Sequence, residues 1–357
     1  EGGFVNVTQK PAKPYRRRLD LANGRVDLSH GSGGRAMAQL IADIFHGAFD
    51  NDWLRQGNDQ AAFDPPSGRM VMSTDGYVVS PLFFPGGDIG SLAVHGTIND
   101  IAMAGARPLH LSASFIIEEG FALADLDRIA QSMGRASREA GVPIVTGDTK
   151  VVERGKADGV FITTSGVGIV PAGLDLSGDC VRPGDVVILS GTLGDHGIAV
   201  MSKRQNLEFE TQILSDSAAL HGLVADIVAA AGPWLRAMRD PTRGGLAATL
   251  NELAQQSGVG FRLEENAIPV KPEVAAACEL LGLDPLYVAN EGKLIAIVAP
   301  EGGAAALAAM QSHPLGREAA IIGEAIADER RFVQMVTAFG GGRIVDWLSG
   351  EQLPRIC

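Results

Sequence analysis

Cys357, the last residue of the sequence, is the first candidate for chemistry. A thiolate is a strong nucleophile whose reactivity depends on its pKa and its exposure. Pro354 fixes its own φ and restricts Leu353, and Arg355 places a cation near the thiol. Most cysteines near a chain end have no role, because chain ends usually tolerate change. Two hypotheses therefore stand for Cys357, a covalent carrier arm and an ordinary terminal residue.

Carboxylates beside glycine, threonine or lysine form a second group of candidates. They occur in Ser73-Thr74-Asp75-Gly76, Thr97-Ile98-Asn99-Asp100, Thr146-Gly147-Asp148-Thr149-Lys150, Thr192-Leu193-Gly194-Asp195-His196, Arg239-Asp240-Pro241-Thr242-Arg243 and Ala289-Asn290-Glu291-Gly292-Lys293. Carboxylates on different segments can hold Mg²⁺, a hard cation that also binds substrate phosphates. Each segment alone would normally be a turn. The apolar strands that lead into them instead favour one phosphate site built at strand and helix junctions.

Glycines in the segment His30-Gly31-Ser32-Gly33-Gly34-Arg35 suit the same purpose. Glycine lets the backbone approach a phosphate closely, and the N-terminus of a following helix attracts anions. A structural or surface role explains His30, His196, Lys150 and Lys293 equally well when each is taken alone. The whole set is therefore more informative than any member.

Several common active-site motifs are absent from the sequence. It has no G-x-x-x-x-G-K-[ST] loop and no G-x-G-x-x-G after a strand. It also lacks H-E-x-x-H and G-x-S-x-G. A nucleotide site in this chain must use another architecture.

Composition excludes further classes of function. The net charge of −12 argues against a nucleic-acid partner, and no apolar run is long enough to predict a membrane span. The three cysteines form no C-x-x-C pair, which argues against a disulfide framework and a structural zinc site. We expect a reducing, cytoplasmic setting. Cys180 and Cys278 lie in apolar surroundings and are predicted to be packing residues.

Strand and helix patterns divide the 357 residues into four parts. We predict a basic, mobile extension at 1–27, a first folded domain at 28–175, a second at 176–327 and a tail at 328–357 that carries Cys357. Helices are predicted at 90–104, 123–140, 220–231, 246–256 and 273–281, and strands at 69–73, 109–117, 143–146, 160–170, 186–190, 294–298 and 320–322. Alternation without regular βαβ units favours a mixed α+β sandwich. Gly340-Gly341-Gly342 is a candidate hinge for the tail.

Nine segments together resemble the family of hydrogenase maturation proteins called HypE. They are HGSGG, STDGYVV, LFFPGGDIG, GTINDIAMAGA, IVTGDTKVV, SGTLGDHG, RDPTRGGL, NEGK and the terminal PRIC, and the resemblance spans about residues 28–357. This family belongs to an ATP-using superfamily with aminoimidazole ribonucleotide synthetase and selenophosphate synthetase. The resemblance implies an α+β, two-domain PurM-like fold, with an N-terminal ATP-binding sheet domain, a C-terminal α/β sandwich domain and a flexible C-terminal tail. Residues 1–27 have no counterpart in the family pattern.

The resemblance also implies an activity, that of an ATP-dependent carbamoyl dehydratase. In this family HypF places a carbamoyl group on the terminal thiol, here Cys357. ATP then activates the oxygen of the thiocarboxamide, and its loss leaves a thiocyanate. The cyano group is delivered to iron on a HypC–HypD complex, for a [NiFe]-hydrogenase. Family members are homodimers that bind ATP near the interface of their first domains.

Matching the family motifs assigns expected roles to individual residues. Cys357 carries the substrate, Lys150 and Glu291 help proton transfer, and His95 is an auxiliary proton carrier. Asp75, Asp100 and Asp148 hold Mg²⁺ and the ATP phosphates. Four further residues complete the expected ATP site: Gly33, Gly34, Thr149 and Asp240.

Two alternatives to this function remain at this point. A kinase or synthetase of the same superfamily would also use ATP. Selenophosphate synthetase-like enzymes, however, carry a reactive Cys or selenocysteine in the N-terminal glycine segment, and HGSGG contains none. A purine-pathway synthetase would have no reason to keep a terminal PRIC. A non-catalytic scaffold that uses its tail only for docking would not need both Lys150 and Glu291 near the thiol.

Overall fold

Helices and strands alternate along the chain, whose computed structural model describes residues 19–64, 66–207, 212–348 and 353–357. The α-helices in these ranges are α1 (Arg35–Leu40), α2 (His46–Phe49), α3 (Asp52–Arg55), α4 (Ile89–Met103), α5 (Leu123–Ala140), α6 (Asp195–Arg204), α7 (His221–Ala231), α8 (Gly245–Ser257), α9 (Pro272–Leu281) and α10 (Pro300–Ser312). A π-helical turn (Ile41–Phe45) joins α1 to α2. Short 3₁₀ turns lie at Leu28–Gly31, Gly178–Cys180, Gly232–Trp234, Glu265–Ala267, Pro285–Tyr287 and Pro314–Gly316.

The strands form two main sheets and one small hairpin. They are β1 (Arg69–Tyr77), β2 (Phe83–Phe84), β3 (Gly87–Asp88), β4 (Arg107–Glu118), β5 (Ile144–Val152), β6 (Val160–Val170), β7 (Val186–Leu189), β8 (Leu235–Arg239), β9 (Gly260–Glu264), β10 (Ile295–Val298), β11 (Ala320–Ile326), β12 (Val333–Val336) and β13 (Gly342–Ile344). The first sheet has the order β1-β6-β4-β5, and the second has the order β13-β12-β9-β11-β7-β10-β8. The first sheet is built from residues 69–170 and the second from residues 186–344.

The first sheet is covered by helices on one face only. Buried and more exposed residues alternate along β6, and the buried ones face α4, where Thr164 Oγ1 donates to the carbonyl of Ala93. The opposite face stays open and carries large apolar side chains, with Met72 69% exposed, Met70 49% and Ile116 41%. The uncovered face of this sheet is therefore an exposed apolar surface, which monomeric proteins seldom have.

The second sheet is covered on both faces. All four residues of β10 are buried, because α8 packs on one side of the sheet and α7 with α10 on the other. The two domains meet at α6, whose Val200 and Met201 join the core of the first domain together with Ile356 of the tail. The tail is thus part of the interface between the domains.

Several sequence predictions agree with the structure residue for residue or nearly so. Helix α5 spans the predicted 123–140 and ends at Gly141 with a positive φ of 68°, and β6 spans the predicted 160–170. Cys278 is buried as predicted, whereas Cys180 is only half-buried. In the described ranges, no helix combines the length and the apolarity needed to cross a membrane.

Both ends of the folded region differ from the prediction. Residues 19–27 were assigned to a mobile extension, yet Val26 is buried and its N–H donates to the carbonyl of Phe121 at 2.8 Å. The basic segment 10–18 lies outside the described residues. In the segment assigned to the tail, β12 pairs with β9 and β13 pairs with β12. The glycine run at 340–342 closes that hairpin, so it is part of a sheet rather than a free hinge.

The carboxylate motifs also sit differently from the prediction. Asp75 lies inside β1, Asp100 inside α4 and Asp148 inside β5, not at the junctions where we expected them. The reason is long-range pairing: β1 continues along β6 to Tyr77, and β5 continues along β4 to Val152. A strand extends as far as its partner offers backbone groups, and local sequence does not reveal that length.

Candidate active site

The terminal segment docks against the strand end of β1. The N–H of Val78 donates to the carbonyl of Cys357 at 3.2 Å, and the N–H of Ser80 donates to the carbonyl of Arg355 at 3.1 Å. Ile356 between them is 2% exposed, and Cys357 is half-buried. Arg355 also forms an ion pair with Asp158 and donates to the carbonyl of Val78. The tail therefore holds its thiol inward, between the two domains.

Four carboxyl groups lie close together at this position, and we call them the carboxylate cluster: Asp75, Asp100, Asp240 and Glu291. Asp75 comes from β1, Asp100 from α4, Asp240 from the loop after β8 and Glu291 from the loop before β10. The side chain of Asp100 accepts a hydrogen bond from Ser73 Oγ at 2.7 Å, which shows that this side of β1 faces α4. The fold thus gathers carboxylates from both domains.

Burial and neighbouring negative charges raise the pKa values of three members of this cluster, Asp100, Asp240 and Glu291. Burial raises the pKa of Asp240 to about 7, and the charges of Asp100 and Asp75 add to the shift. Burial also raises the pKa of Asp100, against a lowering by the hydrogen bond from Ser73. Perturbed carboxyls of this kind concentrate at functional sites, where a bound cation or proton transfer uses them.

Glu291 is the most strongly affected member of the cluster. Glu291 is 3% exposed, and its Oε1 has no hydrogen-bond partner among the described residues. Burial, with the charges of Asp240 and Asp216, raises the pKa of Glu291 well above its usual value. The loop is nonetheless fixed: Glu291 N–H donates to Asp216 Oδ1 at 3.0 Å, and Lys293 Nζ lies 2.9 Å from Asp216 Oδ2. A held, buried carboxyl with a free oxygen is suited to accept a proton.

The thiol of Cys357 lies close enough to Glu291 for the carboxylate charge to act on its pKa. Burial raises the pKa of the Cys357 thiol, the charges of Glu291 and Asp75 raise it further, and Arg243 opposes them. The docked sulfur therefore carries its proton at neutral pH. Docking places the sulfur beside Glu291 but makes it a poor nucleophile there.

Arg243 is a site residue that sequence reasoning did not single out. It follows Pro241-Thr242 in the loop after β8, where Gly244 and Gly245 have positive φ values of 77° and 61°. The sequence signal for Arg243 was its positive charge in a loop that contains glycines. Charged residues in such loops are too common to indicate a functional site. Only the fold brings this cation to the thiol.

Asp148 and Lys150 lie on the other face of the first sheet. Their side chains are 55% and 60% exposed and form an ion pair of 2.7 Å, while Thr149 between them points into the core. The pKa of Asp148 is lowered, chiefly by its hydrogen bond with Lys150. Strands β1 and β5 are also separated by two strands, or about 14 Å. Within one chain, Asp148 does not join Asp75 and Asp100, and Lys150 is not beside Cys357.

Gly33 and Gly34 lie near this second position rather than near the cluster. Their φ values are 77° and 130°, and an added Cβ at either would meet open space. The preceding Gly31 packs on Val151 of β5 so closely that a Cβ would lie 2.6 Å from its backbone nitrogen. A cavity of about 100 Å³ begins at Met37, is lined mainly by apolar side chains and ends at Gly147, Asp148 and Thr149. Thr149 is only 4% exposed, so its side chain faces this interior.

His95 is half-buried in α4 and directed towards the segment that follows α6. Its Nδ1 lies 2.9 Å from Ser217 Oγ, and burial lowers its pKa to about 4, with a smaller contribution from His221. The imidazole is therefore neutral near pH 7. A proton-carrying role for His95 stays a prediction.

A divalent cation fits part of the predicted ligand set. In the described residues, no group of three or more His, Cys, Asp and Glu side chains is arranged to hold a metal ion by itself. The charge of Asp75 nevertheless contributes to the raised pKa of Asp100, so these two carboxyl groups lie near each other. Mg²⁺ commonly uses one or two carboxylates and takes its other ligands from phosphates and water. The pair fits that pattern, whereas Asp148 of the same chain does not contribute.

Comparisons with known proteins find relatives of both domains. The family model described as AIR synthase related protein, N-terminal domain, matches residues 57–170, and the corresponding C-terminal domain matches residues 182–336. A protein of Rhizobium leguminosarum bv. viciae named carbamoyl dehydratase HypE is 77% identical over 345 residues, which cover 97% of this chain and 99% of that protein.

Two crystal structures resemble the fold across both domains. Hydrogenase maturation protein HypE in complex with ATP is 51% identical, with a TM-score of 0.89, over 92% of this chain and 99% of that one. The HypE chain of a HypE–HypF complex is 48% identical, with a TM-score of 0.76, over 87% of this chain and 99% of that one. The likeness therefore extends over nearly the whole of these proteins.

Proposed function

This chain belongs to the carbamoyl dehydratase HypE family of hydrogenase maturation proteins, and we propose that Cys357 carries the carbamoyl group that it dehydrates. The observation that carries the proposal is the docking of the thiol of Cys357 beside the buried carboxyl of Glu291. Family membership favours dehydration over the kinase and scaffold alternatives.

The proposed reaction converts a thiocarboxamide into a thiocyanate. The group S–C(=O)–NH₂ accepts the γ-phosphoryl group of ATP on its oxygen, because an amide oxygen is otherwise a poor leaving group. Loss of the phosphate breaks the C–O bond, and loss of the two N–H protons forms the C≡N bond. The products are S–C≡N, ADP and phosphate, and no electrons are gained or lost overall.

Glu291 is the group we assign to proton removal. A positioned base whose pKa lies near the working pH is most effective, and burial moves Glu291 in that direction. Its free Oε1 gives a proton a place to go. Arg243 faces the same sulfur and would stabilise negative charge that develops during phosphoryl transfer.

The phosphates of ATP are proposed to approach the carboxylate cluster. A solved relative binds ATP, and the elevated pKa values of Asp100 and Asp240 mark a position that a cation would stabilise. Asp75 and Asp100 would hold Mg²⁺, which supplies neutralising charge for the phosphates when it is bound. Asp240 borders the same space.

The predicted site residues that lie far from the carboxylate cluster in one chain would take part through a homodimer. The open face of the first sheet carries Asp148 and Lys150 together with the exposed Met70, Met72 and Ile116. If two copies pair through this face, Asp148 and Lys150 of one copy can reach the carboxylate cluster of the other. The apolar cavity that ends at Thr149 would then hold the nucleotide base, and Gly33 and Gly34 lie in the loop that leads to its lining residue Met37. This arrangement accounts for their separation within a single chain.

The proposed partners require the tail to leave its docked position. A HypE relative has been solved in complex with HypF, which we propose as the carbamoyl donor to Cys357. The docked thiol keeps its proton, so transfer to sulfur would take place with the tail outside. The cyano group would then pass to iron on a HypC–HypD complex. The unpaired cysteines suit a cytoplasmic setting.

Intact-mass measurement tests the proposal. Incubation with HypF, carbamoyl phosphate and ATP should add one carbamoyl group to the chain, which then loses the mass of one water only when ATP is present. Cys357→Ala should stay unmodified, while Cys180→Ala and Cys278→Ala should behave like wild type. A carbamoyl adduct on Cys357→Ala, or an adduct that never loses water, would refute the assignment.

A further inference from the structure

His196, the second residue of α6, has no part in the proposed chemistry but contacts the tail directly. Its Nε2 lies 2.8 Å from the carbonyl oxygen of Ile356, the residue before Cys357. A carbonyl only accepts hydrogen bonds, so Nε2 carries a proton and donates it. The contact therefore fixes the backbone from which the thiol projects.

The imidazole is itself held in one orientation. Nδ1 lies 2.8 Å from Ser215 Oγ, which donates to it in this tautomer, and the ring meets Phe84 edge-on at 5.4 Å between centroids. His196 is fully buried, and burial lowers its pKa although Asp216 and the Ile356 carbonyl act in the opposite direction. The ring is thus neutral and anchored from both domains.

Other contacts of the tail do not depend on His196. On the opposite edge, Val78 and Ser80 bind the tail through their backbone N–H groups. Arg204, at the other end of α6, donates to the carbonyls of Arg355 and Ser80 at 2.8 Å each. Loss of His196 would leave these contacts in place but would remove the hydrogen-bond donor to the buried Ile356 carbonyl. A buried carbonyl without a donor costs free energy in the docked state.

We propose that His196 is the positioning residue that holds the tail of this enzyme in its inward, dehydration-competent state. It acts through the Ile356 carbonyl and does not touch the reacting group. Weakening the hydrogen bond between His196 and Ile356 shifts the tail outward, so the two steps of the proposed function respond differently. Dehydration slows because it needs the inward tail, whereas acceptance of the carbamoyl group is maintained or accelerated because it needs the outward tail.

Two isosteric variants separate this role from a structural one. The amide nitrogen of glutamine can occupy the position of Nε2, whereas that of asparagine occupies the position of Nδ1. His196→Gln can therefore still donate to Ile356, and His196→Asn cannot. Both place an uncharged amide at the same buried position, so each is the matched control of the other.

The first measurement is the rate at which iodoacetamide alkylates Cys357 in the full chain. Peptide mass spectrometry distinguishes Cys357 from the half-buried Cys180. Loss of one hydrogen bond should raise the outward population, and with it the alkylation rate, about fivefold in His196→Asn. His196→Gln should stay near wild type. An unchanged rate in His196→Asn, or equal rates in both variants, would overturn the proposal.

The second measurement depends on the proposed function and follows carbamoyl transfer and water loss by intact mass. His196→Asn should dehydrate about fivefold more slowly and accept carbamoyl at least as fast as wild type, with recovery in His196→Gln. Parallel loss of both steps would show that His196 supports the fold and would reject a positioning role. If wild type accepts no carbamoyl group, the proposed function fails, while the alkylation rates still decide the role of His196.

Discussion

Glu291 raises the pKa of the Cys357 thiol, although the two residues belong to segments more than sixty positions apart in the chain. Glu291 stands on a rigid loop of the second domain, and Cys357 arrives on the tail through backbone contacts to the first. The pairing explains how one cysteine can have two states. In the docked tail it is a protonated thiol near a buried carboxyl; under the proposed function, release of the tail would free it to act as a nucleophile.

The two charged neighbours of the thiol should shift its titration in opposite directions. Glu291→Gln removes a negative charge, so the pKa of Cys357 should fall, while Arg243→Gln removes a positive charge and should raise it. The two shifts should have opposite signs. The pH dependence of iodoacetamide alkylation at Cys357 measures them. Shifts of the same sign would show that the variants act by moving the tail.

Glu291→Gln should also separate the two chemical steps. The variant keeps the shape of the side chain but cannot accept a proton, so dehydration should slow about 10²–10⁴-fold while carbamoyl transfer continues. A time course of intact mass after transfer checks this. Glu301→Gln, at an exposed position of α10, is the matched control and should dehydrate at the wild-type rate. Normal water loss in Glu291→Gln would remove Glu291 from the mechanism.

Lys150→Ala should impair catalysis without affecting stability. The ion pair with Asp148 is largely exposed, and exposed pairs contribute about 0–1 kcal/mol, so the Tm should barely change. If Lys150 serves the active site of the other copy, dehydration should slow about 100-fold or more with carbamoyl transfer intact. Lys156→Ala, also exposed, is the control. Wild-type dehydration in Lys150→Ala would exclude the predicted role.

The open sheet face should be the dimer interface. Met72→Lys places a charge at its most exposed apolar residue and should weaken dimerisation at least about tenfold, because an interface would bury that charge unpaired. Sedimentation velocity over a concentration series gives the association constant. Leu280→Lys changes an equally exposed apolar residue, 70% exposed on α9, and should leave the dimer intact. A Met72→Lys protein that still dimerises like wild type would place the interface elsewhere.

Local sequence was sufficient for most elements of the fold. Helix α5 and strand β6 match their predicted bounds because amphipathic spacing, a glycine stop and alternating burial are all recorded in neighbouring residues. It was insufficient for β12 and β13, two short segments that become strands because β12 pairs with β9 and β13 pairs with β12. Membership of the second sheet therefore had to come from long-range contacts.

The candidate site divides in the same way. By itself, the sequence determined which groups were available: a terminal thiol, carboxylates in six recurrent motifs, and the family pattern that they form. Residue type and spacing are local properties, and reading them requires no knowledge of the neighbours across the fold. These local properties do not show which of the groups come together in one site.

Only the tertiary structure decided which of these groups meet. It joined Cys357 to Glu291 and Arg243, turned Asp148 and Lys150 to the opposite face of the sheet from Asp75, and gave His196 a contact with the tail. Strand pairing fixes the face on which each side chain points, and domain packing fixes which faces adjoin. Both depend on contacts between residues far apart in the chain, so spacing along the sequence could not supply them.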